Sequence, residues 1–131
     1  MTHPDFEYER RVAFSDTDMA GIAHFTSVLR WVEEAEAAYR RERGGSLCVI
    51  EPDGTLVGWP KVAVNIGYVS PVLFDEVLVI SLGVARDGKT SRTWRFAIRK
   101  KETGLETARG EFTVVHIARA PDGTVTKRPV V

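Results

Sequence analysis

One stretch of helical periodicity, preceded by one strand-like run and followed only by strand-like runs, most limits how this sequence can fold. Apolar residues recur every three to four positions from Ile22 onward, which predicts a single long amphipathic helix. We expect the helix to begin near Ala23 or His24 and to end at Gly44-Gly45, a common C-terminal signal. It would be about 30 Å long, given the rise per residue of an α-helix.

Alternating apolar and polar residues on both sides of this helix predict five β-strands. The first runs from Phe6 to Phe14, with both of these rings on one face. The later runs cover residues 62–68, 77–84, 92–99 and 108–117. Asp87-Gly88 and Thr103-Gly104 stand where hairpin turns are needed, and the tail after Pro121-Asp122-Gly123 is expected to be loosely held.

This β-α-β-β-β-β order predicts the α+β class, with an antiparallel sheet curled around one helix. At 131 residues the chain has the size of one domain, so we expect residues 1–131 to form a single domain. One helix leaves part of a five-stranded sheet uncovered. We therefore expect a homodimer at least, and a homotetramer is equally compatible with the pattern.

Composition and charge exclude several classes of function. Eighteen basic and eighteen acidic residues give a formal net charge of zero, which argues against nucleic acid or an anionic membrane as partner. There is no apolar run of about 18 residues that could span a membrane. The opening segment Met1–Tyr8 lacks the features of a secretory signal, and Cys48 is the single cysteine, so we expect a cytoplasmic protein.

The sequence contains few candidate catalytic or metal-binding residues. Neither nucleophile elbows nor phosphate-binding glycine loops occur, and His3, His24 and His116 lack the spacing of a zinc site, so we expect no metal. Two carboxylates, Asp16 and Asp18, precede the predicted helix. Either could simply cap a helix or form a turn. A carboxylate beside free helix-end N–H groups also supplies two of the parts that acyl transfer needs.

The same segment carries a family resemblance. Residues 16–25 followed by residues 29–33 resemble the Asp-x-Asp-x-x-Gly-x-x-x-aromatic signature and helix of the hotdog-fold acyl-CoA thioesterases of the 4-hydroxybenzoyl-CoA thioesterase type. Further segments similar to this family follow in the same order, namely residues 64–71, 74–77, 89–91 and 108–110. The resemblance covers roughly residues 8–117.

The resemblance implies a hotdog fold, in which a five-stranded antiparallel sheet wraps around one long central helix. It also implies hydrolysis of an acyl-CoA thioester to free acid and CoA without a cofactor. Asp18 would be the nucleophile or general base, and the backbone N–H of Phe25 would face the thioester oxygen. Gly21 would let the chain turn tightly, and Asp16 would be structural.

The resemblance and the strand ends also suggest substrate-binding residues. His24 would polarise the carbonyl or line the pocket, Glu33 would approach the aryl end of the substrate, and Val62 would line the acyl pocket. The nucleotide of CoA needs cations and hydroxyls near the pocket mouth, for which the candidates are Lys61, Lys89, Ser91 and Arg92. Each of these polar residues is also compatible with a plain solvated position on a helix or strand.

Two other functions fit the fold. One is a hotdog hydratase or dehydratase, but the Asn-Pro motif typical of that class is absent. The other is a non-catalytic acyl-binding module, which the presence of Asp18 disfavours. The sequence leaves open the acyl group, the choice between CoA and an acyl-carrier protein, and the choice between dimer and tetramer.

Overall fold

The computed structural model describes residues 3–131, so Met1 and Thr2 of the opening segment lie outside the described residues. The described residues form one α-helix and two antiparallel sheets. The elements in chain order are β1 Phe6–Arg11, α1 Ser27–Glu42, β2 Cys48–Ile50, β3 Leu56–Gly58, β4 Lys61–Tyr68, β5 Val77–Asp87, β6 Ser91–Lys100, β7 Glu106–Val115, β8 Ile117–Arg119 and β9 Val125–Lys127.

The main sheet has the strand order β1-β5-β6-β7-β4, with every neighbouring pair antiparallel. Its inner face buries Leu78, Ile80, Trp94, Phe96 and Phe112 against the apolar side of α1. Burial of each such side chain contributes about 1.5–3 kcal/mol, which is the main force that holds helix and sheet together. The predicted α+β class and five-stranded antiparallel sheet are confirmed, and both predicted hairpins join consecutive strands.

The helix is shorter than predicted. It has 16 residues, or about 24 Å at the usual rise per residue, and it begins at Ser27 rather than near Ala23 or His24. The preceding residues stay extended because their N–H groups bind other segments: Ala23 donates to the Val72 carbonyl and His24 to the Asp16 carbonyl. The expectation of a long central helix is therefore wrong for the first turn: the residues predicted to form that turn are not helical.

The predicted end of the helix is confirmed. Gly44 has a φ of +77°, a left-handed conformation that glycine adopts without strain. The N–H groups of Gly45 and Gly44 return to the carbonyls of Arg40 and Arg41 at 2.8 and 3.0 Å. This is the Schellman arrangement that satisfies the last carbonyls of a helix.

The first strand also ends early. β1 stops at Arg11, and Phe14 lies in a short 3-10 turn, Phe14–Asp16, with 75% of its surface exposed. The turn forms because Ala13 donates its N–H to the Asp16 carboxylate and accepts the N–H of Asp16 at its carbonyl. The prediction that Phe14 shares the inner face with Phe6 is therefore wrong.

A second sheet, with the order β2-β3-β8-β9, was not predicted. Its strands are three residues each, too short for alternation to be recognised. The tail is part of it, since β9 pairs with β8 and Arg128 forms a two-pronged ion pair with Glu51 at 2.7 and 2.8 Å. The expectation of a loosely held tail is wrong because β9 forms a hairpin with β8 and Arg128 pairs with Glu51, which lies far away in sequence.

Candidate active site

The loop between β1 and α1 turns sharply at Asp18. The Asp18 N–H donates to the Ile22 carbonyl and the Gly21 N–H donates to the Asp18 carbonyl, both at 3.0 Å. Gly21 has a φ of +81°, so the turn requires a residue without a Cβ at this position. Asp18 itself is exposed, and its Oδ1 accepts the Ala20 N–H at 2.8 Å. Within residues 3–131 its Oδ2 has no hydrogen-bond partner and is open to a substrate.

Asp16 anchors the same loop from beneath. Its side chain is 1% exposed and accepts the Ala13 N–H at 2.7 Å, Arg30 at 2.6 Å and Arg10 at 3.1 Å. Burial by itself would raise the pKa of this carboxyl, but these donors outweigh it and lower the pKa below its usual range. The Asp16 carbonyl also accepts the Ser27 hydroxyl at 2.8 Å. Asp16 therefore ties the loop to the start of α1 and is closed off from substrate.

Just before the helix start one backbone donor is free, whereas the N–H groups of Thr26 and Ser27 donate to the Nδ1 and the carbonyl of His24. Thr26, the N-cap residue, makes no side-chain capping bond, and the first turn carries no acid. In the described part of the chain the Phe25 N–H has no acceptor. The Phe25 carbonyl does have a partner, because the Tyr68 hydroxyl donates to it at 2.9 Å. An unpaired N–H at a helix N-terminus attracts developing negative charge.

The acidic loop and the free amide share one cavity of about 450 Å³. Its walls come from the loop, from α1, and from the chain around the end of β4 and the start of β7, by way of Asp18, Phe25, Val28, Trp31, Tyr68 and Pro71. Most of the lining is apolar or aromatic, with few polar groups. A concave apolar site with a carboxylate and a free N–H at its edge suits a small apolar acyl group.

A larger cleft of about 590 Å³ lies elsewhere, beside Arg11, Glu76 and Lys100. Its charges already neutralise one another, with Lys100 at 2.9 Å from Glu76 and Arg11 at 3.5 Å from Asp75. It holds none of the predicted site residues. The smaller cavity is therefore the candidate active site.

The other predicted substrate-binding residues lie outside this cavity in the single chain. His24 is next to it, with Nδ1 at 2.6 Å from the Thr26 hydroxyl and its ring packed on Phe25 at 4.6 Å. Val62 is an exposed residue of β4. Lys89 is exposed and Ser91 half-buried at the start of β6.

The two remaining cations are already paired with acids of the same chain. Lys61 lies 3.2 Å from Glu33 and 2.8 Å from Glu36. Glu36 is completely buried, and burial raises its pKa although Lys61 opposes the shift. Arg92 is largely buried and paired with Asp87 at 2.8 Å. In the single chain neither Lys61 nor Arg92 is a free cation at the mouth of the Asp18 cavity.

Among residues 3–131, no three His, Cys, Asp or Glu side chains are grouped in a way that could hold a metal ion. Within the same range, no helix is long and apolar enough to cross a membrane.

Sequence reasoning overlooked Tyr68 as a site residue. The alternation of β4 placed Tyr68 at the end of a strand, but did not indicate that its hydroxyl reaches Phe25 across 43 positions of sequence. Trp31 lines the cavity, whereas Trp59 packs on His116 elsewhere, with 4.1 Å between the ring centroids. The signal that could have found Tyr68 is its position inside segment 64–71, which resembles the family.

A carboxylate and a free helix-end amide at one cavity are the parts of an acyl-transfer site. Residues 20–107, more than half of the chain, match the Thioesterase superfamily, and the chain belongs to that family. The family resemblance drawn from the motif at residues 16–25 is thereby confirmed.

Relatives with names and known folds are similar over most of the chain. The 1,4-dihydroxy-2-naphthoyl-CoA hydrolase of Prochlorococcus marinus (strain NATL2A) is 24% identical over 119 residues, which are 86% of this chain and 74% of that protein. The 4-hydroxybenzoyl-CoA thioesterase of Pseudomonas sp. (strain CBS-3) is 28% identical over 99 residues, 73% and 69% of the two chains. The solved 1,4-dihydroxy-2-naphthoyl-CoA thioesterase from Synechocystis superposes with a TM-score of 0.80 at 24% identity, covering 96% of this chain and 89% of the other, and at that identity it shows the fold alone.

Proposed function

We propose that this protein hydrolyses an acyl-CoA thioester, with Asp18 as nucleophile or general base and the Phe25 N–H as donor to the thioester oxygen. One observation carries the proposal: the Asp18 carboxylate and the unpaired Phe25 amide line the same cavity. Membership of the Thioesterase superfamily supports the reaction type. The left-handed conformation of Gly21 supports the proposed position of Asp18, because it allows the tight turn in which Asp18 lies.

The chemistry follows from these two groups. When a nucleophile adds to the thioester carbonyl, negative charge develops on the oxygen, and a fixed backbone N–H stabilises that charge without having to reorganise. In one route the Asp18 carboxylate forms an anhydride with the acyl group and expels CoA thiolate, and water then cleaves the anhydride. In the other route Asp18 takes a proton from the attacking water. Both consume one water, yield a carboxylic acid and CoA, and need no cofactor.

We further propose an aromatic acyl group. Phe25, Trp31 and Tyr68 contribute rings to the cavity, and flat apolar groups stack well against such rings. The named relatives act, by their names, on 1,4-dihydroxy-2-naphthoyl-CoA and 4-hydroxybenzoyl-CoA, both of them aromatic thioesters. Glu33, exposed on α1, remains a candidate for contact with a polar group at the far end of the ring.

The expected homodimer or homotetramer belongs to the same proposal. β4 is an edge strand of the main sheet, and its Val62, Val64 and Tyr68 are 61%, 45% and 52% exposed. An apolar edge strand of this length favours pairing with another copy. A second chain on this edge would cover these three side chains. Sedimentation at micromolar concentration should give a dimer or larger, and a mass near 14.6 kDa would contradict it.

For the nucleotide of CoA we propose Lys89 as the main contact, with the Ser91 hydroxyl beside it and His24 nearer the reacting carbonyl. Lys61 and Arg92 contribute less, because both are paired with carboxylates. Lys89→Ala should raise KM for the CoA ester by about threefold at low salt and leave kcat unchanged. The rise in KM should be this small, and should shrink further at high salt, because solvent and ions screen an exposed charge pair. The truncated pantetheine ester should show no such change, and an equal rise for both esters would remove Lys89 from the site.

The test of the function is release of free thiol by the purified protein from a panel of CoA esters: benzoyl, 4-hydroxybenzoyl, naphthoyl, short-chain and long-chain acyl. We expect the aromatic esters to have the highest kcat/KM. Efficient turnover of alkyl esters alone would overturn the aromatic assignment but keep the thioesterase. Hydration of an enoyl-CoA without thiol release would identify a hydratase, and binding without turnover an acyl-binding module. The cytoplasmic location and the lack of a cofactor remain predictions.

A further inference from the structure

The start of α1 lacks a cap from the side chain of its N-cap residue Thr26, whose own N–H donates to the His24 Nδ1 at 3.2 Å. Neither a capping bond from Thr26 nor an acid in the first turn is present. Losing such a cap costs about 1 kcal/mol, so an uncapped start has to be held in another way. Here it is held from outside the helix, by the Asp16 carbonyl on one side and by the Tyr68 hydroxyl on the other.

Tyr68 is the last residue of β4 and reaches across the cavity. Its hydroxyl donates to the Phe25 carbonyl at 2.9 Å, while its ring forms part of the cavity wall. The peptide group before Phe25 is fixed as well, because the His24 carbonyl accepts the Ser27 N–H at 2.9 Å. The backbone of Phe25 is therefore restrained on both sides of its Cα, and its N–H keeps one direction.

We propose that Tyr68 is a positioning residue for thioester hydrolysis: its hydroxyl holds the Phe25 backbone so that the Phe25 N–H meets the thioester oxygen in the transition state. The proposal rests on the proposed function, because it assigns Tyr68 a part in the same site. It differs from a substrate-binding role, in which the hydroxyl would contact the acyl group and set KM.

The chemistry of the hydroxyl is suited to this task. A tyrosine hydroxyl with the ordinary pKa of 10.0 keeps its proton and remains a donor through the neutral range, and burial raises the pKa of Tyr68 further. Tyr68 as a whole is about half exposed, so the fold does not depend on burying it. Replacing tyrosine by phenylalanine removes one oxygen atom and keeps the ring that lines the cavity.

The first experiment compares Tyr68→Phe with wild type and with the matched control Tyr8→Phe, which removes the same oxygen from a half-buried residue of β1 that does not line the cavity. We expect Tyr68→Phe to lower kcat for an aromatic CoA ester about tenfold while KM changes less than about twofold, as for the loss of an interaction made in the transition state. Tyr68→Phe should lower the melting temperature by no more than a few degrees, as for the loss of one hydrogen bond, and Tyr8→Phe should leave it unchanged. Tyr8→Phe should keep the wild-type kcat.

The second readout is infrared spectroscopy of bound phenacyl-CoA, a ketone in which a methylene group separates the carbonyl from sulfur. In wild type and Tyr8→Phe the carbonyl stretch should move to lower frequency on binding, because the amide polarises the carbonyl. In Tyr68→Phe the shift should be smaller. A merely structural role for Tyr68 would lower the melting temperature and leave the shift intact.

Different results would contradict the positioning role of Tyr68 and the proposed function. A Tyr68→Phe variant with wild-type kcat, or with raised KM and normal kcat, would overturn the positioning role while leaving the thioesterase in place. An unchanged carbonyl shift in Tyr68→Phe would also overturn it. If wild type released no thiol from any ester, the proposed function would fail, and the role of Tyr68 would fail with it.

Discussion

The two ends of α1 are built in opposite ways. At the C-terminal end the last carbonyls are satisfied by Gly44 and Gly45, and two arginines pack on aromatic rings, Arg40 at 3.9 Å from Trp59 and Arg43 at 3.7 Å from Tyr39. At the N-terminal end Thr26 makes no side-chain cap, the His24 ring accepts the Thr26 N–H at 3.2 Å, and the Phe25 N–H beside a cavity has no acceptor among the described residues.

The difference indicates what each end is for. At the C-terminal end the glycine cap and the two cation–π contacts stabilise the folded state, although burial lowers the pKa of Arg40 and leaves its Nε and Nη2 without hydrogen-bond partners among the described residues. The N-terminal end gives up a capping bond and relies on the buried Asp16 to hold its loop. Local rules of helix design are commonly broken at functional sites and compensated nearby. Changes at the two ends should therefore separate stability from activity.

The largest effect is expected at the N-terminal end. Asp18→Asn should lower kcat by at least about a hundredfold, as for loss of a catalytic base or nucleophile. The fold should be unaffected, because the asparagine oxygen can still accept the Ala20 N–H. The measurement is single-turnover release of thiol from the best aromatic CoA ester, with melting temperature as the check of folding.

A matched control exists in the second hairpin of the small sheet. Asp122 accepts the N–H of Thr124 at 2.9 Å, the same contact two residues ahead that Asp18 makes with Ala20. Asp122→Asn should leave kcat unchanged. If Asp18→Asn hydrolysed the ester as fast as Asp122→Asn, the catalytic assignment of Asp18 would be wrong.

The second expected effect is on stability. Asp16→Asn should lower the free energy of unfolding by about 2–3 kcal/mol, because it leaves the buried site without the charge that pairs with Arg30 and Arg10. The exposed pair of Arg11 and Asp75 provides the comparison, and Asp75→Asn should change the free energy by less than about 0.5 kcal/mol. Urea unfolding at pH 7 measures both. Equal unfolding curves for Asp16→Asn and Asp75→Asn would remove the anchoring role of Asp16.

The same carboxylate should give stability a dependence on pH. The pKa of Asp16 in the folded protein lies below its ordinary value of 3.8, because its hydrogen bonds and ion pairs outweigh the effect of burial. A lowered pKa means that the folded state binds the proton less tightly than the unfolded state. The stabilisation is therefore complete above about pH 5 and is lost as pH falls through the folded-state pKa. The difference in unfolding free energy between wild type and Asp16→Asn should shrink below about pH 4. A constant difference down to the acid transition would mean that the charge is not what stabilises the loop.

Sequence patterns predicted the parts of the fold that depend on long regular elements. The strands β5, β6 and β7 follow their alternation, and the helix ends at the glycines that the sequence offers. The patterns failed where long-range hydrogen bonds decide the local conformation. Ala23 and His24 have helical periodicity, but their N–H groups bind Val72 and Asp16, so the helix begins later. The small sheet was missed because its strands have only three residues each and its two hairpins come together through the pairing of β3 with β8, which lie far apart in the chain.

The candidate site was predicted through its motif and only in part through its geometry. The order of acid, glycine and aromatic residue indicated Asp18, Gly21 and Phe25, which lie together around one turn and one helix start. The sequence could not indicate that Lys61 is neutralised by Glu36, because that pairing depends on how β4 crosses the helix.

The smallest effects are expected from substitution of two glycines that have similar backbone conformations. Gly21 lies before α1 and Gly44 lies after it. Gly21 and Gly44 have φ values of +81° and +77°, and a Cβ added at either would meet no atom within 4 Å. Alanine should therefore cost about 1 kcal/mol of stability at each position, through backbone strain alone. The effect on activity should differ, because a shifted turn at Gly21 moves Asp18, which donates its own N–H to Ile22 in the same turn.

We expect Gly21→Ala to lower kcat about tenfold, the cost of a small misplacement of a reacting group, and Gly44→Ala to keep it near wild type. Urea unfolding and thiol release, measured on both variants in parallel, test the two parts of this expectation. If both variants lose stability and neither loses kcat, activity tolerates a substitution at the N-terminal end of α1 as well as one at the C-terminal end. The geometry of the Asp18 turn would then have no part in the reaction.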